Sequence, residues 1–182
     1  MSRAQDAVKA SPRGAALLDT SPLDTSPLDT SLLDTSLLDT SLLDTSLLDT
    51  SVILASLDPD EAAHAACDKL VAQGGHCLYV HALAESFSIL TGGQRARKLD
   101  AGTAYRLLDE SVMPFVRTVG LTGKDVLTAL RDARSRGVRG GAVYDYLHLV
   151  AARKAGVARL VTLDQRHFQA LARAGDPRIE AP

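Results

Sequence analysis

Two aspartates of this chain stand directly after short, mainly apolar stretches, a placement that is typical of ligand sites. Asp49 follows Leu47-Leu48, and Asp164 follows the run over residues 160–163. Such runs predict buried strands, and in open α/β sheets ligands bind beyond the carboxyl ends of the strands. A buried aspartate at that position is costly unless something cationic compensates it. We therefore predict Asp49 as the first ligand of a metal site.

Each acidic candidate also has a structural interpretation. Asp49 can cap a helix that begins near Ser51. Glu85 falls inside a predicted helix but off its apolar stripe, where a solvated glutamate is ordinary. Asp145 stands in the first turns of a helix and can complement the helix dipole, although the preceding glycines and two flanking tyrosines suit a carboxylate that points into a cleft. Taken one at a time, these positions leave both interpretations open.

Strands and helices alternate along the chain, and this order predicts the α/β class. Short apolar stretches predict strands at residues 47–48, 77–80, 115–119 and 158–163, and residues 178–180 are predicted to form a last edge strand. Periodic apolar residues between caps and glycines predict a helix that begins near residue 51 and helices over residues 62–73, 81–90, 100–110 and 165–174. Another predicted helix opens at residues 122–125 and ends in basic residues before Gly140, and the next follows Gly140-Gly141 and runs to about Lys154. The acidic candidates therefore fall at strand ends or on the helices that follow them.

Two helix starts have specific local patterns. Residues 58–61, Asp-Pro-Asp-Glu, combine an N-cap with Pro at N1 and Glu at N3, and they predict a surface helix that then runs to Gln73. Residues 122–125, Thr-Gly-Lys-Asp, predict a second start, and we expect Val126, Leu127 and Leu130 to face inward from it.

The first 46 residues differ in kind from the rest of the chain. Residues 1–16 lack periodicity and predict a mobile tail. A five-residue unit, Leu-Leu-Asp-Thr-Ser, then recurs up to Ser51, twice with Pro in its first place. A period of five collects the leucines on no single face of a strand or helix, and a pentapeptide β-helix would leave leucines exposed. We predict that residues 1–46 are a disordered tail and repeat and that residues 47–182 form the domain.

Composition excludes several classes of protein. The chain has 182 residues, 46% of them hydrophobic and 23% charged, which suits one sizeable core. No apolar run approaches the ~20 residues of a membrane span, and the N-terminus lacks the apolar segment of a signal peptide, so we expect a cytoplasmic protein. Cys67 and Cys77 form no CxxC pattern and are expected to be buried thiols. A net charge of −2 argues against a general nucleic-acid coat.

Four segments stand in an order and at strand ends that are together fairly specific. They are Leu48-Asp49-Thr50-Ser51, then His81-Ala-Leu-Ala-Glu85 with Leu90-Thr91, then Gly140-Gly141-Ala142-Val143-Tyr144-Asp145, and finally Leu160-Val161-Thr162-Leu163-Asp164 with His167-Phe168. Over residues 47–182 these segments resemble the motifs of PIN-domain ribonucleases, and more narrowly those of VapC-type toxins of bacterial toxin–antitoxin pairs. Many relatives carry Asn in place of Asp164, so this position is either a ligand or an acceptor that orients one.

The resemblance implies a PIN-like three-layer α/β fold, in which helices flank a central and mostly parallel sheet. It also implies a divalent-metal-dependent endoribonuclease that cleaves RNA phosphodiesters. Asp49, Glu85, Asp145 and Asp164 would form the acidic cluster, with both catalytic and metal-binding roles. Converging carboxylates without a Cys or His cluster favour Mg²⁺ or Mn²⁺ over zinc. Such a metal would prepare a water molecule for in-line attack on a phosphodiester.

The resemblance assigns roles to neighbouring residues and to partners as well. Thr50, Ser51 and Thr162 would orient Asp49 or hold metal waters. A basic cluster would contact the RNA backbone, although each arginine is equally well explained as a solvated or helix-terminal charge; its members are Arg134, Arg136 and Arg139. No histidine has a catalytic context, and all five are predicted to be structural: His64, His76, His81, His148 and His167. A homodimer and a cognate antitoxin protein are the implied partners.

Other classes of protein fit the motifs less well. A haloacid-dehalogenase-like phosphatase would need a second aspartate where Ser51 stands. A receiver domain would need a lysine at a later strand end, which this chain lacks, and Thr162 fits its hydroxyl position poorly. The remaining alternative is a catalytically impaired PIN-like module that binds RNA or a partner protein.

Overall fold

The structure, a computed structural model, describes residues 45–92 and 98–182, so the predicted tail and most of the repeat lie outside the described residues. Within these ranges the strands are β1 (Ser46–Leu48), β2 (His76–Tyr79), β3 (Val116–Val119), β4 (Arg159–Val161) and β5 (Arg178–Glu180). The helices are α1 (Thr50–Ser56), α2 (His64–Gln73), α3 (Val80–Thr91), α4 (Ala101–Ser111), α5 (Gly123–Ser135), α6 (Ala142–Ala155) and α7 (Gln165–Leu171). None of these described helices is both long and apolar enough to span a bilayer.

All five described strands are parallel, in the spatial order β3-β2-β1-β4-β5. β1 is central, with Leu47 opposite Cys77 of β2 and Leu160 of β4. The chain adds β2 and β3 on one side of β1 and then crosses to the other side for β4 and β5. The direction of winding therefore switches between β1 and β4, where an open α/β sheet leaves a crevice beyond its carboxyl ends. The predicted fold class is confirmed.

Alternate strand residues bury opposite faces of the sheet, as the pleat requires. Leu47 and Leu160 pack with α5, α6 and α7, whereas Leu48 and Val161 pack with α1 to α4. Both faces of the inner strands are thus covered, and this explains why every residue of β1 and β2 is buried. The sheet and the helices packed on its two faces are the three layers that the resemblance implies.

The cysteines are buried, unbridged thiols, as predicted. Cys67 lies on α2 and Cys77 on β2, one in each of the two apolar clusters. Burial raises the pKa of both thiols. Two thiols on opposite faces of the sheet cannot share a disulfide or a metal ion.

The predicted start of α2 is wrong. Asp58 accepts a hydrogen bond from the backbone N–H of Asp60 at 3.1 Å, and this tight turn uses the oxygen that would have capped a helix. Two successive turns follow, and α2 begins only at His64. The helix otherwise matches the prediction, because it ends at Gln73 and buries only Cys67 and Val71.

The start of α5 is correct, and of the three residues predicted to face inward only Val126 packs against the core. Thr122 and Asp125 form the predicted capping box. However, Leu127 is 70% exposed and Leu130 is 41% exposed. Ala129 and Ala133 face the core instead. Small side chains therefore form part of the contact of α5 with the core, and Leu127 and Leu130 point outward.

The helix α6 is held from one side by a charged and aromatic cluster. The Tyr146 hydroxyl donates to Asp132, and the Arg136 and Arg153 guanidinium carbons lie 5.3 and 5.5 Å from the centre of the Tyr146 ring. Arg153 also forms a two-pronged ion pair with Asp176, just before β5. These contacts fix the rotation of α6, which carries Asp145 and His148.

Candidate active site

Asp49 ends the central strand and uses one carboxylate oxygen to hold its position. Its backbone N–H donates to the Val161 carbonyl at 2.9 Å and joins the ends of β1 and β4. Its Oδ2 accepts hydrogen bonds from the Ser51 hydroxyl at 2.6 Å and the Thr162 hydroxyl at 2.9 Å. The Ser51 N–H also points at Oδ2, so Asp49 does cap α1. Among the described residues nothing donates to Oδ1, which leaves that oxygen for a ligand.

The hydroxyls that hold Asp49 are oriented by the backbone after β4. The Ser51 hydroxyl accepts from the Leu163 N–H at 3.1 Å, and the Thr162 hydroxyl accepts from the Asp164 N–H at 2.9 Å. Each hydroxyl is therefore oriented so that its own O–H donates a hydrogen bond to the Asp49 carboxylate. This small hydrogen-bond network connects the ends of β1 and β4 at the switch point.

Glu85 reaches the same place from α3, which begins directly after β2. Its Oε2 accepts a hydrogen bond from the Thr50 hydroxyl at 2.6 Å. The nearby His148 imidazole lowers the pKa of Glu85 most strongly, the Thr50 hydroxyl lowers it further, and burial opposes both. A lowered pKa keeps this carboxylate ionised at neutral pH.

His148 lies between the two carboxylates, and sequence reasoning missed it. Its Nδ1 is 3.4 Å from Asp49 Oδ1, and its Nε2 is 3.7 Å from Glu85 Oε2. The signal that could have found it is its spacing: His148 follows Asp145 by three residues on α6, so the two side chains share a helix face. The prediction that all five histidines are purely structural did not use this spacing.

Asp145 and Asp164 form the second half of the site. His167 Nδ1 lies 3.1 Å from Asp164 Oδ2 and 3.6 Å from Asp145 Oδ2. Burial raises the pKa of Asp145 most, and the negative charges of Asp49 and Glu85 raise it further, against the influence of the two histidines. Asp145 therefore shares one electrostatic environment with Asp49 and Glu85. Asp164 is more exposed and caps α7 by accepting from the His167 N–H.

The donor set fits a hard divalent cation that the protein encloses only in part. In the two described ranges, no three His, Cys, Asp or Glu side chains converge closely enough to enclose an ion. Mg²⁺ typically takes one or two carboxylates and keeps waters or substrate phosphates as its other ligands. No described residue donates to Asp49 Oδ1, and burial, together with the negative charges of Asp49 and Glu85, raises the pKa of Asp145, a cost that a bound cation would relieve.

The three predicted RNA-binding arginines occupy different environments. Arg136 is ion-paired with Asp132 at 2.8 Å and stacked on Tyr146, with only 19% of its side chain exposed. Arg134 and Arg139 are exposed, near the C-terminus of α5 and in the loop before α6. The structure therefore engages Arg136 internally and leaves the other two available to a ligand.

Comparison with known proteins identifies the family. The model of the PIN domain family matches residues 46–174, well over half of the chain. The chain belongs to the PIN-domain family. The predicted resemblance is thus confirmed at this level, and the match begins at the first residue of β1. No curated protein has a matching sequence.

Several solved structures share this fold over most of their length. VapC20 of Mycobacterium tuberculosis, described as a toxin that cleaves the sarcin–ricin loop, is 21% identical, with a TM-score of 0.52 over 72% of this chain and 98% of its own. PAE2754 of Pyrobaculum aerophilum is 21% identical, with a TM-score of 0.54 over 76% and 84%. The FitAcB structure of Neisseria gonorrhoeae is 19% identical, with a TM-score of 0.53 over 75% and 96%. At these identities the comparison establishes the shared fold.

Thr162→Val tests the network that holds Asp49 in this PIN domain. The substitution keeps the shape of a fully buried side chain but removes a donor to Asp49 Oδ2 and an acceptor for the Asp164 N–H. We expect the free energy of unfolding to fall by about 1–3 kcal/mol in urea denaturation. The matched control is Thr118→Val on the exposed side of β3, which should change it by less than about 0.5 kcal/mol. Equal effects of the two variants would contradict the network.

Proposed function

We propose that this PIN-domain protein is a divalent-metal-dependent endoribonuclease that cleaves RNA phosphodiesters. The observation that carries the proposal is geometric: beside a topological switch point, His148 lies 3.4 Å from Asp49 and 3.7 Å from Glu85, and His167 lies within 3.6 Å of both Asp145 and Asp164. Carboxylates from a strand end and from two separate helices lie together there. Such clustering lowers the stability of the fold, so a structural role alone does not account for it. Membership of the PIN family supports nuclease chemistry for such a cluster.

Asp49, Glu85, Asp145 and Asp164 are the proposed catalytic and metal-binding residues, and Mg²⁺ or Mn²⁺ is the proposed cofactor. When bound, the cation lowers the pKa of a water molecule and stabilises charge on the leaving oxygen. The protein's own contribution is orientation. Ser51 and Thr162 fix Oδ2 of Asp49 and turn Oδ1 toward the site, while the Thr50 hydroxyl fixes Glu85.

Asp145→Asn tests the metal-dependent chemistry. The amide keeps the shape of the side chain but removes its charge, so cleavage of a labelled RNA should fall by about a hundredfold or more. EDTA should abolish wild-type cleavage, and added Mg²⁺ or Mn²⁺ should restore it. Glu110→Gln, an exposed acid on α4, is the matched control and should cleave normally. A wild-type protein that binds RNA without cutting it would favour the impaired, RNA-binding alternative.

The final copy of the repeat is proposed to be the functional one. Only Asp49 is followed by Val52-Ile53-Leu54-Ala55, which form the buried body of α1. An upstream copy could replace β1 only if five residues looped out between strand and helix, at a cost in loop entropy.

Asp49→Ala in the full chain should therefore abolish cleavage even though six other Leu/Pro-Leu-Asp-Thr-Ser copies remain. Asp44→Ala changes the same residue of the preceding copy and should cleave like wild type. A chain that begins at Ser46 should fold, as judged by circular dichroism, and should retain activity. If the Asp49→Ala protein were as active as wild type, slippage of the repeat into β1 would be real and this assignment would fail.

Arg134 and Arg139 are proposed to contact the RNA backbone, because both are exposed and neither is ion-paired within the described residues. The double variant Arg134→Ala/Arg139→Ala should weaken RNA binding. The affinity should also depend less steeply on salt, the magnitude of the slope of log affinity against log salt falling by roughly one for each phosphate that is no longer bound. Fluorescence anisotropy at several salt concentrations measures this. Arg106→Ala, an exposed arginine on α4, is the control. An unchanged salt slope in the double variant would remove these residues from the interface.

We further propose that the protein is the toxin of a type II toxin–antitoxin pair in the cytoplasm, that it forms a homodimer, and that an antitoxin protein neutralises it. The support is the fold shared with VapC20, which is described as a toxin. Light scattering after size exclusion, at concentrations well above micromolar, should give twice the 19.3 kDa mass of the chain. A mass that stays at one chain throughout would contradict the dimer.

A further inference from the structure

His148 carries a buried nitrogen that has no hydrogen-bond partner. The residue is 1% exposed, and its Nδ1 is among the few buried polar atoms without a partner in the described part of the chain. Tyr79 and Phe168 pack against the ring at steep angles, with centroids 5.2 and 6.4 Å away. Because the ring is confined on two sides, it cannot turn its Nδ1 toward water. Such an atom calls for a partner that the described side chains do not supply, such as a water molecule or an ion.

The Nδ1 atom faces an oxygen that is also unsatisfied. Asp49 Oδ1 lies 3.4 Å away, which is longer than a hydrogen bond, and no described residue donates to it. The other Asp49 oxygen is fully occupied by Ser51 and Thr162. A carboxylate oxygen and an imidazole nitrogen that both lack partners and lie side by side are the donor pair that a first-row divalent cation accepts.

The opposite side of the ring has the partner that metal-binding histidines require. Such histidines generally direct their second ring nitrogen to a carboxylate or carbonyl, which fixes the tautomer and orientation. Here Nε2 faces Glu85 Oε2 at 3.7 Å, and the Thr50 hydroxyl holds that same oxygen at 2.6 Å. Glu85 thereby favours a proton on Nε2 and a free lone pair on Nδ1.

We propose, on the basis of the metal-dependent function above, that His148 Nδ1 is a ligand of the cation that Asp49 binds. The site then differs from an all-oxygen site, because Mg²⁺ prefers oxygen ligands whereas imidazole suits first-row transition metals. Mn²⁺ is the first-row cation that also suits carboxylates, so we expect it to bind this mixed site more tightly than Mg²⁺.

Pulsed electron paramagnetic resonance of the full chain loaded with Mn²⁺ tests this directly. The wild-type protein should show ¹⁴N modulation of the Mn²⁺ echo, and labelling its histidines with ¹⁵N should replace that modulation with a ¹⁵N pattern. His148→Phe keeps an aromatic ring between Tyr79 and Phe168 and should remove the modulation. It should also raise the Mn²⁺ dissociation constant roughly ten- to a hundredfold, with a smaller change for Mg²⁺. His81→Phe and His167→Phe, the other histidines near the acids, should retain the modulation.

The outcomes separate this inference from the proposed function. Wild-type protein that binds Mn²⁺ and cleaves RNA without nitrogen modulation would overturn the histidine ligand and leave the nuclease proposal intact. Loss of modulation in His81→Phe or His167→Phe would assign the nitrogen to that residue and overturn the role of His148, even if His148→Phe failed to fold. Wild-type protein that binds no Mn²⁺ or Mg²⁺ would overturn the proposed function and this inference with it.

Discussion

The carboxylate of Asp49 imposes the constraint on which the rest of the site depends. It ends the central strand with only 10% of its side chain exposed, so its charge has to be compensated locally. The structure compensates one oxygen with the hydroxyls of Ser51 and Thr162 and leaves the other unsatisfied. Two β-strands that are remote in sequence, β1 and β4, are joined at their ends by this arrangement. Stability and the proposed ligand binding would thus use different oxygens of the same residue.

The four acids of the site form two pairs, and a histidine lies between the two acids of each pair. His148 lies between Asp49 and Glu85, and His167 lies between Asp145 and Asp164. The pairs differ in environment, since His148 is buried whereas 68% of the His167 side chain is exposed. Packing fixes the His148 ring, and this fixed geometry would suit the proposed cation site. The exposed His167 ring would suit the proposed contact with a nucleic-acid substrate.

The sequence predicts most of the fold and the acidic positions, because both depend on local patterns. A strand-end aspartate such as Asp49 is visible in a short window, and so are the capping box of α5 and the glycines that end helices. The position of His148 against Asp49 depends instead on how α6 docks on the sheet, a contact between segments that are far apart along the chain. Leu127 was assigned to the wrong face for a related reason, because helix periodicity identifies an apolar face without revealing that small alanines make the closer contact.

These acids should together form a cation site at the switch point between β1 and β4. Crystals of the full chain grown with Mn²⁺, measured for anomalous scattering near the manganese absorption edge, test this most directly. We expect an anomalous peak beside Asp49 Oδ1, within reach of Asp145. A well-ordered acidic cluster without a peak, or a peak confined to acids elsewhere on the protein, would contradict the cation site.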